Sequence, residues 1–181
     1  MPGQIHNQID LIQYCKQDLA FYTEWRKINP PVEDSKLKKE EAEKRKTLRE
    51  FVGTAIREHV LETKEKTLIS YRGFDIVLPA NMTLEKPYVW LKKSGKYYVE
   101  LGDTDIGNLI RIDNYLDSLG DHLSKLTLNL EKLREKEKDI RFELSKGESY
   151  INQIETYKNK VKNLDKKLGV YKLSLIHISE P

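Results

Sequence analysis

The chain has 181 residues, of which 38% are hydrophobic and 34% charged, a ratio lean for one compact globule and ordinary for a small domain joined to helices wetted on one side. Its 32 basic and 29 acidic residues leave a net charge of only +3, short of the basic excess expected of a protein built mainly to grip phosphate backbones. The lone Cys15 excludes an internal disulfide and suits a reducing, cytoplasmic setting, while no apolar run reaches membrane-span length and the first twenty or so residues lack a signal-peptide layout.

Residues 1–29 read as an N-terminal helix. Ile5, Ile9, Ile12, Cys15, Leu19 and Tyr22 share one face, and Pro30-Pro31 ends the helix by removing two amide donors. Residues 30–46 form a charged linker and helix start, with Asp34 or Ser35 available as a cap. The mixed charges of LKKEEAEKRK suit a solvated helix face with pairs such as Glu40–Lys44; the competing reading is a nucleic-acid contact.

Residues 47–104 are expected to hold a helix and a three-stranded antiparallel meander. Leu48, Phe51, Val52, Ala55, Ile56 and Val60 make the helix's core stripe, and Gly53 inside it implies a close helix-to-sheet approach. The first strand runs from Leu68 to Leu78 and stops at Pro79. Two more, Tyr88–Lys93 and Tyr97–Leu101, flank Ser94-Gly95 as a two-residue hairpin turn. That turn would set Trp90 opposite Val99, Tyr88 opposite Leu101 and Leu91 opposite Tyr98.

Residues 105–171 carry the longest pattern. From Leu109 through Ile112, Leu116, Leu119, Leu123, Leu126, Leu130 and Leu133 to Ile140 and Leu144 the apolar residues alternate in steps of three and four, with Glu137 the one polar slot. Ser145-Lys146-Gly147-Glu148 has the spacing of a capping box, and Tyr150, Ile154, Tyr157, Val161, Leu164 and Leu168 resume the stripe. Two striped helices around a short break imply an antiparallel hairpin, a coiled coil within the chain. The competing reading is one continuous helix that pairs with another chain. Residues 172–181, which include LSLIHISEP, resemble the translation of a sequencing adapter and are set aside from fold and function.

No phosphate-binding glycine loop, CxxC pair, HExxH or GxSxG occurs, and the four histidines lack metal-ligand spacing. The expectation is a non-enzyme without metal or cofactor. The best basic feature is the hairpin tip, where Lys92, Lys93 and Lys96 stand beside Tyr97 and Tyr98, a combination that can hold a phosphate strand and stack a base. Lysines there would equally block unwanted edge pairing. Arg72 and Arg111 are the other cations outside charge runs, and Arg111 has Asp105 or Asp113 as an ion-pair partner. Leu116, Leu119, Leu123, Leu126, Leu130 and Leu133 form a candidate interaction stripe.

Three segments carry a family resemblance: Tyr71-Arg72-Gly73-Phe74, Tyr98-Val99-Glu100-Leu101-Gly102 and Gly107-Asn108-Leu109-Ile110-Arg111-Ile112-Asp113-Asn114. In this order and spacing they resemble the C-terminal region of large helicase and adenine DNA methylase proteins carried by conjugative transposons, plasmids and phages of Firmicutes. The helicase part of those proteins is Swi/Snf-like. The resemblance spans roughly residues 47–168, with Lys146-Gly147-Glu148 standing where that family has a Lys-Pro-Phe break. It implies a non-catalytic accessory module that docks on upstream helicase and methylase domains of the same polypeptide or guides DNA. The alternative is a coiled-coil protein-protein interaction module that touches no DNA and takes another protein or a second copy as its partner. The expected fold is α+β: a small three-stranded meander packed by helices, then a leucine-striped helical hairpin.

Overall fold

The computed structural model describes the backbone of residues 2–179 and the side chains of residues 3–169. Four α-helices and one four-stranded antiparallel sheet follow in the order α1 (Pro2–Ile28), a 3-10 turn (Asp34–Lys36), α2 (Lys39–Glu58), β1 (Lys66–Tyr71), β2 (Phe74–Leu78), β3 (Tyr88–Lys92), β4 (Lys96–Glu100), α3 (Asp105–Asp117) and α4 (Leu119–Ser179). The strands are ordered β1-β2-β3-β4, so the sheet is a simple meander. The α+β class agrees with the sequence. The chain divides into two compact units, Met1–Glu131 and Lys132–Pro181.

The fourth strand corrects the expected three. Leu68–Leu78 is two strands, not one, because Arg72 (φ 52°) and Gly73 (φ 82°) both adopt left-handed backbone and Tyr71 pairs directly with Phe74. Two consecutive positive-φ residues are the signature of the tight hairpin turn that matches strand twist. Glycine reaches that conformation without strain; Arg72 is held there by the contacts described below.

The β3–β4 register is also shifted by one. Val89 pairs with Val99, Trp90 with Tyr98 and Leu91 with Tyr97, so the turn contains Lys93, Ser94 and Gly95. A one-residue slip exchanges the faces of a strand. Tyr97 and Val99 therefore join Val89 and Leu91 on the buried face, and Tyr98 moves with Tyr88 and Trp90 to the other.

The core of the first unit lies between that buried face and the helices. Phe74, Ile76 and Leu78 of β2 meet Cys15 and Tyr22 of α1, Val52 and Ile56 of α2, and Ile112, Leu116 and Leu119. The buried face of α1 is rotated from the expected one: Gln8, Ile12, Cys15, Asp18 and Tyr22 point inward, and Ile9 is 39% exposed. Gly53 faces α3, not the sheet, for a Cβ there would strike the Asp105 carboxylate.

The helical hairpin expected over 105–171 is not formed. The chain breaks earlier, at Ser118, whose hydroxyl donates back to the Tyr115 carbonyl at 2.9 Å, a bond that competes with helix continuation. From Leu119 a single 61-residue helix continues through Gly147 to Ser179. Ser145 caps nothing; its hydroxyl donates to the Phe142 carbonyl at 2.7 Å. The side chains of residues 172–181, set aside above, lie outside those described. Among the described residues no helix is long and apolar enough to cross a membrane.

Candidate functional site

Three places in the chain gather the residues singled out from sequence. The first is the β3–β4 tip. Asp18, fully buried on α1, accepts from the Ser94 and Gly95 amides at 3.0 and 2.7 Å and from the Tyr97 hydroxyl at 2.5 Å. A carboxylate with three donors is strongly held, and it ties the tip to α1. Burial, with Asp18 beside it, pushes the Tyr97 phenol well above its usual range. Tyr97 is 3% exposed, so it offers no ring to a base.

The lysines of the tip do not converge. Lys92 and Lys96 both donate to Glu65, at 2.8 and 2.9 Å, and these two bonds hold the Glu65 carboxyl down at about 2. Lys93 turns the other way and lies 3.7 Å from the Phe21 ring centroid. What the outer sheet face does present is aromatic. Tyr88, Trp90 and Tyr98 cluster with centroids 4.8 to 5.7 Å apart, and the Lys96 ammonium lies 4.3 Å from the Trp90 ring. Tyr98 is 46% exposed. Alternation along β4 could have found Tyr98 in place of Tyr97, had the length of the turn been known.

The second place is a polar cluster that sequence reasoning missed. Asp113 of α3 pairs with Arg45 of α2 at 2.6 Å and with Arg72 of the β1–β2 turn at 3.0 Å, and accepts from the Tyr71 hydroxyl at 2.6 Å. Arg72 also donates to the Tyr22 hydroxyl at 3.1 Å and stacks on Trp25. Beside it, Arg26 grips both carboxylate oxygens of Asp117 at 2.8 and 2.7 Å. Burial first, then Asp113, raises the Tyr71 phenol. With three partners the Asp113 carboxylate is fully occupied, while Arg45 Nε is buried without a hydrogen-bond partner. The cluster joins α1, α2, β1 and α3, and Arg72, engaged within it, is not free for a nucleic acid. Arg111 is exposed, packs beside Gly102, and forms neither of its expected ion pairs; Asp105 pairs with Arg57 at 2.8 Å.

The third place is the leucine stripe, and the two units use it differently. Leu116 and Leu119 are fully buried, Leu130 is 9% exposed, and Leu123 and Leu126 pack against the core. Gln8 of α1 donates to the Leu126 carbonyl at 2.9 Å. The chain itself thus covers Leu116 to Leu130, and Leu133 is half-buried. In the second unit Ile140, Leu144, Ile151, Ile154, Val161 and Leu168 are all 44% to 62% exposed. Around Gly147 they leave a shallow apolar hollow lined by Ile140, Leu144 and Ile151, with Asp139, Glu143 and Glu148 on its rim.

No group of acidic, histidine or cysteine side chains suited to a metal ion occurs among the described residues. Cys15 is buried, which raises its thiol pKa and leaves it a packing residue. Comparison of the chain with protein-family models, curated proteins and solved structures finds no match.

Proposed function

We propose that the chain is a non-catalytic interaction module whose working surface is the apolar stripe of its second unit. In keeping with the resemblance of its three motifs, it serves as an accessory tail of a mobile-element DNA helicase and methylase. One observation carries the reading: a heptad-spaced row of aliphatic side chains, 44% to 62% exposed, on a unit whose described residues form a single helix. Exposed apolar rows of this length mark a protein-docking face. The carboxylates of Asp18 and Asp113 are each taken up by three partners within the first unit and hold a scaffold together.

A second reading, guidance of single-stranded DNA, rests on the outer sheet face, where Tyr88, Trp90 and Tyr98 stand beside Lys96. Aromatic platforms of that kind stack bases without sequence preference. Titration of the whole chain into labelled single- and double-stranded DNA at low and near-physiological salt separates the two. The docking module is expected to bind neither strongly at low salt. Salt-sensitive binding lost on Trp90→Ala and Lys96→Glu would overturn it in favour of DNA guidance.

A further inference from the structure

The continuous helix fixes a heptad frame that the hairpin reading hid. Counting unbroken from Leu109, the a positions of the second unit are Glu137, Leu144, Ile151, Lys158 and Asp165, and the d positions are Leu133, Ile140, Gly147, Ile154, Val161 and Leu168. The flanking e positions are Arg134, Arg141, Glu148, Glu155 and Lys162, and the g positions Lys136, Glu143, Tyr150, Tyr157 and Leu164. These charges are not scattered. Along the e row from Arg134 to Glu155 the two basic residues come first and the two acidic residues follow.

We infer that this stripe pairs with the same stripe of a second copy, antiparallel and centred between Ser145 and Lys146. The inference rests on the stripe's being a protein-docking face, and it names the partner. In an antiparallel pair a packs opposite d, and e faces e. Setting Leu144 opposite Gly147 brings Arg141 against Glu148 of the second copy and Arg134 against Glu155, each contact repeated by the two-fold axis. The same setting places Ile151 opposite Ile140, Leu144 of one copy above the hollow at Gly147 of the other, and the seam's polar residues Glu137 and Lys158 opposite the apolar Ile154 and Leu133, not opposite their own copies. Nothing lies within 4 Å of a Cβ placed on Gly147, so the hollow is open to a knob. On the opposite flank, Glu143 faces Tyr150 and Lys136 faces Tyr157.

Alternative arrangements of two copies are less favourable in charge. Sliding the antiparallel pair by one heptad either way puts Arg141 against Arg141 or Glu148 against Glu148 on the axis and keeps only one of the two Arg–Glu pairings, Arg134 with Glu148 or Arg141 with Glu155. A parallel in-register pair sets g against the following e, which juxtaposes Lys136 with Arg141 and Glu143 with Glu148, and stacks Glu137 on Glu137 and Lys158 on Lys158 in the seam. Like charges so placed suppress a pairing.

Charge reversal separates the arrangements, read by sedimentation equilibrium of the full chain over a wide concentration range. Glu148→Arg is the clean variant, since Arg141 is bonded within its own helix to Glu137 at 2.7 Å, whereas Leu144 and Asn152 flank Glu148 four residues away. The wild type is expected to dimerise, Glu148→Arg to weaken the dimer on the order of tenfold, and Arg141→Glu with Glu148→Arg to restore it. Far-UV circular dichroism checks that each variant keeps its helix. A wild type monomeric at every concentration would overturn the second copy as occupant while leaving the docking face for another protein. A dimer strengthened by Glu148→Arg would overturn the antiparallel arrangement.

Discussion

Asp18 shows how one side chain decides the geometry of a distant element. Its carboxylate fixes the Ser94 and Gly95 amides and the Tyr97 hydroxyl together, which sets the turn at three residues and turns Tyr97 inward. Asp18→Ala would strand three donors around a buried site, and it is expected to cost about 3 kcal/mol in urea denaturation. An unchanged midpoint would mean that water or a shifted turn replaces the carboxylate. His122 acts through pH. Burial, with Lys125 nearby, lowers its pKa, and the Tyr115 hydroxyl lies 3.3 Å from its Nδ1. The unfolded chain therefore takes up the proton first. Stability from this group is present above the unfolded value of about 6.5 and falls as the pH drops below it towards the lower folded value. Urea midpoints of the wild type should decline across that window more steeply than those of His122→Gln; parallel curves would refute the assignment.

At the scale of elements, the hairpin turns hold the most instructive departures. The YRGF segment has the alternation of a single strand, and its Arg-Gly pair gives only a weak turn signal, because arginine seldom adopts positive φ. What holds Arg72 at φ 52° is tertiary: Asp113, Tyr22 and Trp25 all bind its guanidinium. Gly73→Ala would introduce a Cβ at φ 82° and drive it into the Phe21 ring, so a loss of about 2 kcal/mol is expected from thermal or urea unfolding. A neutral result would show that the turn can reshape. The helices were more legible. Periodicity alone placed α1, the core half of α2 and the leucine stripe, because burial of one face dominates their energetics. It missed the break at Ser118, where the apolar frame runs on undisturbed, and wrongly ended a helix at Ser145, where a capping signal lies inside a stretch that helix propensity carries through. The Asp113 cluster was illegible for a different reason. Its members come from four elements, and only the folded topology brings Arg45, Tyr71 and Arg72 to one carboxylate.

Across the whole molecule one heptad pattern is divided between a buried part and an exposed part. Up to Leu130 the stripe is consumed by the chain's own core, whereas from Ile140 onward its aliphatic side chains stand exposed. Among the described residues every member of the core cluster precedes Glu131, so residues 1–131 contain the core whose burial drives folding. That fragment is expected to unfold cooperatively in urea with a midpoint close to that of the full chain, and to run as a monomer in sedimentation at any concentration. Residues 132–169 lack such a core. An isolated helix gains little from backbone bonding alone, because nucleation is unfavourable and Gly147 weakens the middle by about 1 kcal/mol. The peptide should therefore be mostly unfolded when dilute and gain helicity as its concentration rises, since only the buried seam of an associated state stabilises it. Circular dichroism of the peptide across a dilution series tests this directly. Helicity that stays high on dilution would mean that local propensity suffices, and the exposed stripe would then owe nothing of its helical form to a partner. A fragment 1–131 that melts without cooperativity would move the boundary, because part of the second unit would then belong to the fold of the first.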